Sequence, residues 1–183
     1  MNAIELLKQD HRAVRDLFKS HEAAGDRATT EKRTIADKIF KDLEVHTQIE
    51  EEIFYPAARG AGTEQTEKLV PEAYEEHKVA KNLISQLRAT SVESEEWDAK
   101  MKVLSESVDH HIEEEQNELF PEVQKTLGNA YMRELGEKME VRKRELSATA
   151  PSMGGTLVKM VTRAYDSLTG NGKAAPARRD LRI

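Results

Sequence analysis

Two stretches decide the fold: Val45-His46-Thr47-Gln48-Ile49-Glu50-Glu51-Glu52-Ile53-Phe54-Tyr55-Pro56 and His110-His111-Ile112-Glu113-Glu114-Glu115-Gln116-Asn117-Glu118-Leu119-Phe120-Pro121. Each carries His-x-x-x-Glu, and the His, Glu and Pro positions repeat at an offset of 65 residues. Residues four apart on an α-helix share a face, about 6 Å apart along the axis. His46 therefore points with Glu50, and His111 with Glu115. The apolar residues say where they point. Ile35, Ile39, Leu43 and Ile53 put the first pair on the buried stripe of its helix; Trp97, Met101, Leu104 and Val108 do the same for the second.

Working outward, the helix before each motif repeats as well. Ile4, Leu7, Val14 and Phe18 mark a stripe that includes His11, over about residues 2–24, closed by Gly25-Asp26. Val70, Ala73, Ala80, Ile84 and Leu87 mark another that includes His77, which follows His11 by 66 residues. Pro71 lies in that helix's first turn or kinks a longer one. Thr29 or Thr30 is the expected cap of the second helix, which should end around Pro56 and Gly60; Ser94 caps the fourth, which should end near Leu127-Gly128. Two αα-hairpins result, and they predict an all-α, up-down antiparallel four-helix bundle over residues 1–127 with additional C-terminal helices. Residues 128–150 read as an appended helix with Tyr131, Met132, Leu135 and Met139 on its apolar side. Residues 151–183 read as a linker, a short amphipathic helix and a basic tail that could dock on the acidic bundle, join two copies as a homodimer contact, or touch an anionic membrane.

Composition agrees with a bundle and removes other classes. Of 183 residues, 34% are charged and only 5% aromatic, a poor match to a β-sandwich or barrel. There are no cysteines, so thiolate zinc sites, iron–sulfur clusters and cysteine nucleophiles are excluded, and six histidines remain for chemistry. Residues 1–150 hold 22 Lys+Arg against 32 Asp+Glu, whereas residues 151–183 hold six against two. An acidic body is unsuited to nucleic acid, because phosphate neutralisation needs a basic face. No apolar run is long enough for a transmembrane segment. The N-terminal stretch lacks the pattern of a secretory signal, and a cytoplasmic location is the expectation.

Two carboxylates and four histidines at one depth in an apolar core are costly unless a cation sits between them. Imidazole and carboxylate without thiolate suit iron or manganese, with zinc also open. The Glu-x-x-His motif of ferritin-like centres does not occur. A haem between two histidines would leave Glu50 and Glu115 without a purpose. Position separates the remaining histidines: His110 lies about 100° round the helix from His111, on the surface or outside the ligand set, and His21, near a helix end, is expected to be solvated. Phe40, Phe54, Trp97 and Phe120 read as packing.

In order, Asp10-His11, His46-x-x-x-Glu50 with Phe54-Tyr55-Pro56, Glu76-His77, and His111-x-x-x-Glu115 with Leu119-Phe120-Pro121 resemble the hemerythrin-like (HHE cation-binding) family. The resemblance implies two iron ions joined by an oxo or hydroxo bridge, with His11, His46, His77 and His111 as terminal ligands and Glu50 and Glu115 bridging. The oxygen-carrying members have a fifth histidine four residues before the third-helix one, and here that residue is Ala73. Both ions then keep an open position for a small diatomic or peroxide ligand, or for one more protein oxygen. Tyr74, Glu114 and Glu118 are the candidates; Tyr55 falls about 180° round the helix from His46, so ligation there requires a distorted helix end. Two functions follow from the resemblance. One is peroxide or oxygen handling in stress defence, including catalase-like decomposition of hydrogen peroxide. The other is non-catalytic oxygen or nitric oxide binding, sensing, or iron sequestration.

Overall fold

The computed structural model describes residues 1–25 and 28–149, and every regular element among them is helical. Helix α1 (Ala3–Ala23) starts on Asn2, whose side chain accepts the Ile4 N–H at 2.8 Å while Glu5 accepts the Asn2 N–H at 3.2 Å. This reciprocal pair satisfies two donors that a helix start leaves open. Helix α2 (Thr29–Ile49) begins at Thr29 with Ala28 before it, so neither threonine caps it as expected. Helices α3 (Tyr55–Gly60), α4 (Glu64–Ala89), α5 (Glu95–Glu114) and α6 (Phe120–Thr149) follow. Thr63 caps α4, which places Pro71 well inside the helix rather than in its first turn; Ser94 caps α5 by accepting the Trp97 N–H at 3.2 Å.

The chain does not stop at Pro56. Glu50–Phe54 forms a π-helical turn closed by the Tyr55 N–H on the Glu50 carbonyl, and Glu115–Leu119 forms its twin, closed by Phe120 on Glu115. The cause is the proline that comes next in each repeat. In an α-helix, Pro56 and Pro121 would have no N–H for the carbonyls of Glu52 and Asn117, and their rings would collide with them. A wider turn relieves both problems. It also inserts one residue, which shifts the phase of everything beyond it by about 100°.

Each bundle helix crosses the same three layers. One apolar layer takes Ile4 and Leu7 from α1, Ile49 from α2, Leu69 and Val70 from α4, and Leu119 and Val123 from the fourth helical path. The other takes Val14 and Phe18, Ile39 and Leu43, Ala80 and Ile84, and Leu104 and Val108. Between them lie His11, His46, Glu50, His77, His111 and Glu115, all buried. Going along the chain, α1 and α4 run from the first layer to the second, and α2 and α5 run back. That is the antiparallel bundle built from two hairpins.

Gly128 (φ 75°, ψ 167°) breaks α6 where the sequence places the end of the fourth helix. Beyond it, Met132, Leu135 and Met139 join Ala3 and Leu6 in the first apolar layer. Lys143 pairs with Asp10, and Arg142 holds Glu52 through two nitrogens at 2.7 and 3.1 Å. One compact unit spans Met1–Ala148; the amphipathic helix and basic tail expected over 151–183 lie outside the described residues. The approach of α6 to the N-terminus is very close. A Cβ on Gly136 would sit 2.2 Å from the Met1 carbonyl oxygen and 2.7 Å from the Ala3 nitrogen. Glycine-to-alanine exchange inside a helix ordinarily stabilises by about 0.5–1 kcal/mol. Here Gly136→Ala should destabilise by about 1–3 kcal/mol, read as a lowered melting temperature.

Candidate metal centre

The four histidines arrive in two pairs, each pair from one hairpin, with their Nε2 atoms turned inward. His11 and His46 bring these atoms to 3.1 Å of each other, and so do His77 and His111. Glu50 and Glu115 lie across the two pairs. Glu50 Oε2 is 3.2 Å from His46 and 3.4 Å from His77; Glu115 Oε2 is 3.3 Å from His11 and 3.6 Å from His111. Each carboxylate thus touches one histidine of each hairpin. Two nitrogens held by one ion at about 2.1 Å each, in neighbouring positions, lie about 3 Å apart, which is the spacing seen.

Three of the four outward Nδ1 atoms have hydrogen-bond partners, and that of His46 has none. Glu76 meets His111 at 2.8 Å, Glu51 meets His77 at 2.9 Å, and Asp10 lies 3.5 Å from His46. Gln116 meets His11 at 3.0 Å through its amide. Asp10 and Glu76 each precede a histidine of their hairpin's first helix and serve the histidine of its second. Glu51 and Gln116 each follow a glutamate and serve the opposite hairpin. The Glu51 and Glu76 carboxylates fix their rings and keep the proton on Nδ1, which leaves Nε2 of His77 and His111 free to ligate, whereas the Gln116 amide nitrogen donates to His11 Nδ1.

Tyr55, which regular helical phase turns away from the histidines, meets the condition of a distorted helix end. The π-helical turn gives it the face an α-helix would give the fourth residue after Glu50, so it turns inward. Its buried hydroxyl donates to Glu115 Oε1 at 3.0 Å and stands 3.2 Å from His77 Nε2. The signal for this was Pro56, matched at the same offset by Pro121. The other candidates for an extra ligand are engaged elsewhere. Tyr74 donates to the Glu51 carbonyl at 3.1 Å, Glu118 accepts from Gln65 at 3.3 Å, and Glu114 faces His110, itself exposed. His21, expected in solvent, is buried with its ring 5.1 Å from that of Trp97. The start of α5 packs over the end of α1 and covers it.

Burial dominates the electrostatics. It pushes the Glu50 carboxyl well above the usual range, and the Glu115 charge beside it adds to the rise. Burial acts on Glu115 too, but His111 and His11 outweigh it and hold Glu115 low. The two carboxyls are thus driven in opposite directions, and Tyr55 donates to Glu115, the more acidic of the pair. Burial lowers His11 to about 4, whereas Glu50 and Asp10 lift His46, and Glu115 and Glu76 lift His111, against the same burial. Burial also takes the Tyr55 hydroxyl well above its ordinary value. Both Glu50 oxygens and Glu115 Oε2 are buried without a hydrogen-bond partner. Unpaired carboxylate oxygens of this kind are rare and expensive, and with an all-nitrogen-and-oxygen donor set they fit hard or borderline cations.

A family model described as the hemerythrin HHE cation-binding domain matches residues 2–123. The chain belongs to that family. A crystal structure of an HHE cation-binding domain-containing protein from Mycobacterium kansasii, a homologue of Rv2633c, has a TM-score of 0.72 and 26% identity, covering 82% of this chain and 90% of that one. The uncharacterised protein Rv2633c of Mycobacterium tuberculosis is 24% identical over 147 residues, 80% of this chain and 88% of its own. A DNA nickase of Nostoc is 29% identical over 132 residues; this is 70% of the present chain but 35% of the nickase, so the chain matches only about a third of that relative. The HHE match ends before the second half of α6, whose Lys143 nevertheless reaches Asp10 beside the centre.

Cation loading of this HHE centre should expel protons, because ligation competes with protonation at Glu50, His46 and His111, all raised above their ordinary values. Histidine ligates only when its nitrogen is unprotonated. Apparent affinity for Zn2+ should therefore fall as pH drops through the raised histidine range. Loading in weak buffer at pH 7 should acidify the solution, as read with a pH indicator.

Proposed function

We propose that this chain is a non-haem di-iron protein that decomposes or otherwise handles peroxide, with His11 and His46 holding one ion, His77 and His111 the other, and Glu50 and Glu115 bridging. The observation that carries this reading is the unequal finish of the two halves. Tyr55 adds an oxygen on the His77–His111 side. Its repeat counterpart Phe120 stacks on His11, with ring centroids 5.8 Å apart and planes 6° from parallel. The tyrosine thus supplies the extra protein oxygen on one side, while an apolar ring leaves a ligand position free on the other.

When bound, the iron pair supplies two-electron chemistry: one hydrogen peroxide is oxidised to dioxygen, and the two protons and two electrons it releases reduce a second peroxide to two waters. The chain's own residues do the rest. A cavity of about 20 Å³ touches all four histidines and is otherwise walled largely by Val14, Leu43, Ala80, Val108 and Ile112. That space is large enough for one water-sized molecule, which suits a small ligand. Glu50 and Glu115 balance the cationic charge where a proton otherwise has to sit. Asp10, Glu51 and Glu76 hold the rings in aim.

The same cavity suits a diatomic gas, which supports reversible oxygen or nitric oxide binding as the second reading. The nickase relative contributes a shared domain to this argument and no more: about two thirds of it lies outside the match, and the acidic balance of residues 1–150 here disfavours phosphate contact.

Protein loaded with two irons per chain should release oxygen from hydrogen peroxide well above free-iron controls. A stable, reversible oxygen adduct without turnover would instead favour the carrier reading. His46→Ala combined with His111→Ala should abolish iron retention in metal analysis while leaving helical circular dichroism in place. Tyr55→Phe should fold and keep the six other ligands, but lose the visible phenolate-to-iron absorption that the wild-type protein should show.

A further inference from the structure

The two hairpins are close copies around the centre, so the places where the copy fails are informative. Glu51 and Gln116 are equivalent, 65 residues apart, each directly following its glutamate. Glu51 presents a carboxylate oxygen to His77 Nδ1 at 2.9 Å; Gln116 presents its amide nitrogen to His11 Nδ1 at 3.0 Å. Tyr55 and Phe120 form the second unequal pair, and Phe120 also falls on His11. On the same side, the Asp10 carboxylate stands back from His46 at 3.5 Å, its other oxygen taken by Lys143. The opposite half has outer contacts of 2.8 and 2.9 Å.

We propose that Gln116 is a positioning residue that makes the two cation positions unequal: acting through His11, it leaves the His11–His46 position the weaker-holding one and the His77–His111 position the tighter. This rests on the reading that the centre takes two cations. The physical argument runs through the ring. An imidazole that ligates through Nε2 keeps its proton on Nδ1, and a carboxylate accepting that proton strengthens the ring as a donor. The Gln116 nitrogen instead donates to His11 Nδ1 and so holds that ring's proton on Nε2, the ligating atom; with the amide turned over, its neutral oxygen accepts more weakly than an ionised one. The amide has a further property that a carboxylate lacks. By turning over it offers either C=O or N–H, so it satisfies the neutral His11 ring in either tautomer, before and after an ion arrives. The His11 ring is therefore satisfied without an ion and gives up a hydrogen-bond arrangement when one arrives.

The test is a titration of metal-free protein with Zn2+ against a chromophoric chelator. Wild-type protein should load in two steps of different affinity. Gln116→Glu should tighten the weaker step by about tenfold, the lower end of what outer partners of metal ligands contribute, and leave the tighter step unchanged. Glu51→Gln should loosen the tighter step. Asn117→Asp adds the same charge on the next residue, which is exposed, and should change neither step. Melting temperatures confirm that the variants fold. Equal wild-type steps, an unchanged weaker step in Gln116→Glu, or an equal gain in Asn117→Asp would each overturn the assignment while leaving the two-cation centre standing. Failure of wild-type protein to bind Zn2+ at all would overturn the centre itself and this proposal with it.

Discussion

Everything in this molecule answers to two buried carboxylates. Glu50 and Glu115 sit in the middle layer of a bundle whose layers above and below are apolar, with no water-facing side through which to shed charge. Taking a carboxylate out of water costs several kcal/mol unless it is compensated. In the protein alone the compensation comes from the inward nitrogens of the four histidines and from a Glu50 carboxyl that holds its proton more strongly than usual. A bound cation does the same job more completely. The family to which the chain belongs, cation-binding by its own description, is the one such a layer would lead one to expect.

Around that layer the fold works by duplication with local departures. Two hairpins supply the same residue types at the same offset, and pairing them produces a centre in which each glutamate faces both hairpins. The departures cluster. Tyr55 against Phe120 and Glu51 against Gln116 both distinguish the His77 side from the His11 side. A duplicated scaffold sets where the ligands are, and a few unmatched residues set how the two halves differ.

The bundle and its inward histidines were legible because ligand and core share one period. His11, His46, His77 and His111 fall in phase with leucines and isoleucines, and the same count that finds the core finds them. Tyr55 was illegible for the opposite reason. The count assumes 100° per residue, and the π-helical turn between Glu50 and Phe54 breaks that assumption before Tyr55 is reached. The proline one residue later, repeated at Pro121, is the trace this leaves in the sequence. Asp10 and Glu76 were visible beside their histidines, but their work is done on another helix, at His46 and His111, and spacing along one helix carries no information about that. His21 was misplaced because burial at a helix end depends on what packs over it, in this case Trp97.

The three-layer arrangement also has a kinetic side. Two cavities border the centre, one of about 20 Å³ touching all four histidines and one of about 250 Å³ reaching His46 beside Asp10 and Lys143. Passage through the apolar layers at the two ends requires the helices to part locally, and such openings carry free energies that rise towards that of global unfolding in the best-packed regions. The flank where Lys143 meets Asp10 asks for less: a side chain has to move there, not a helix.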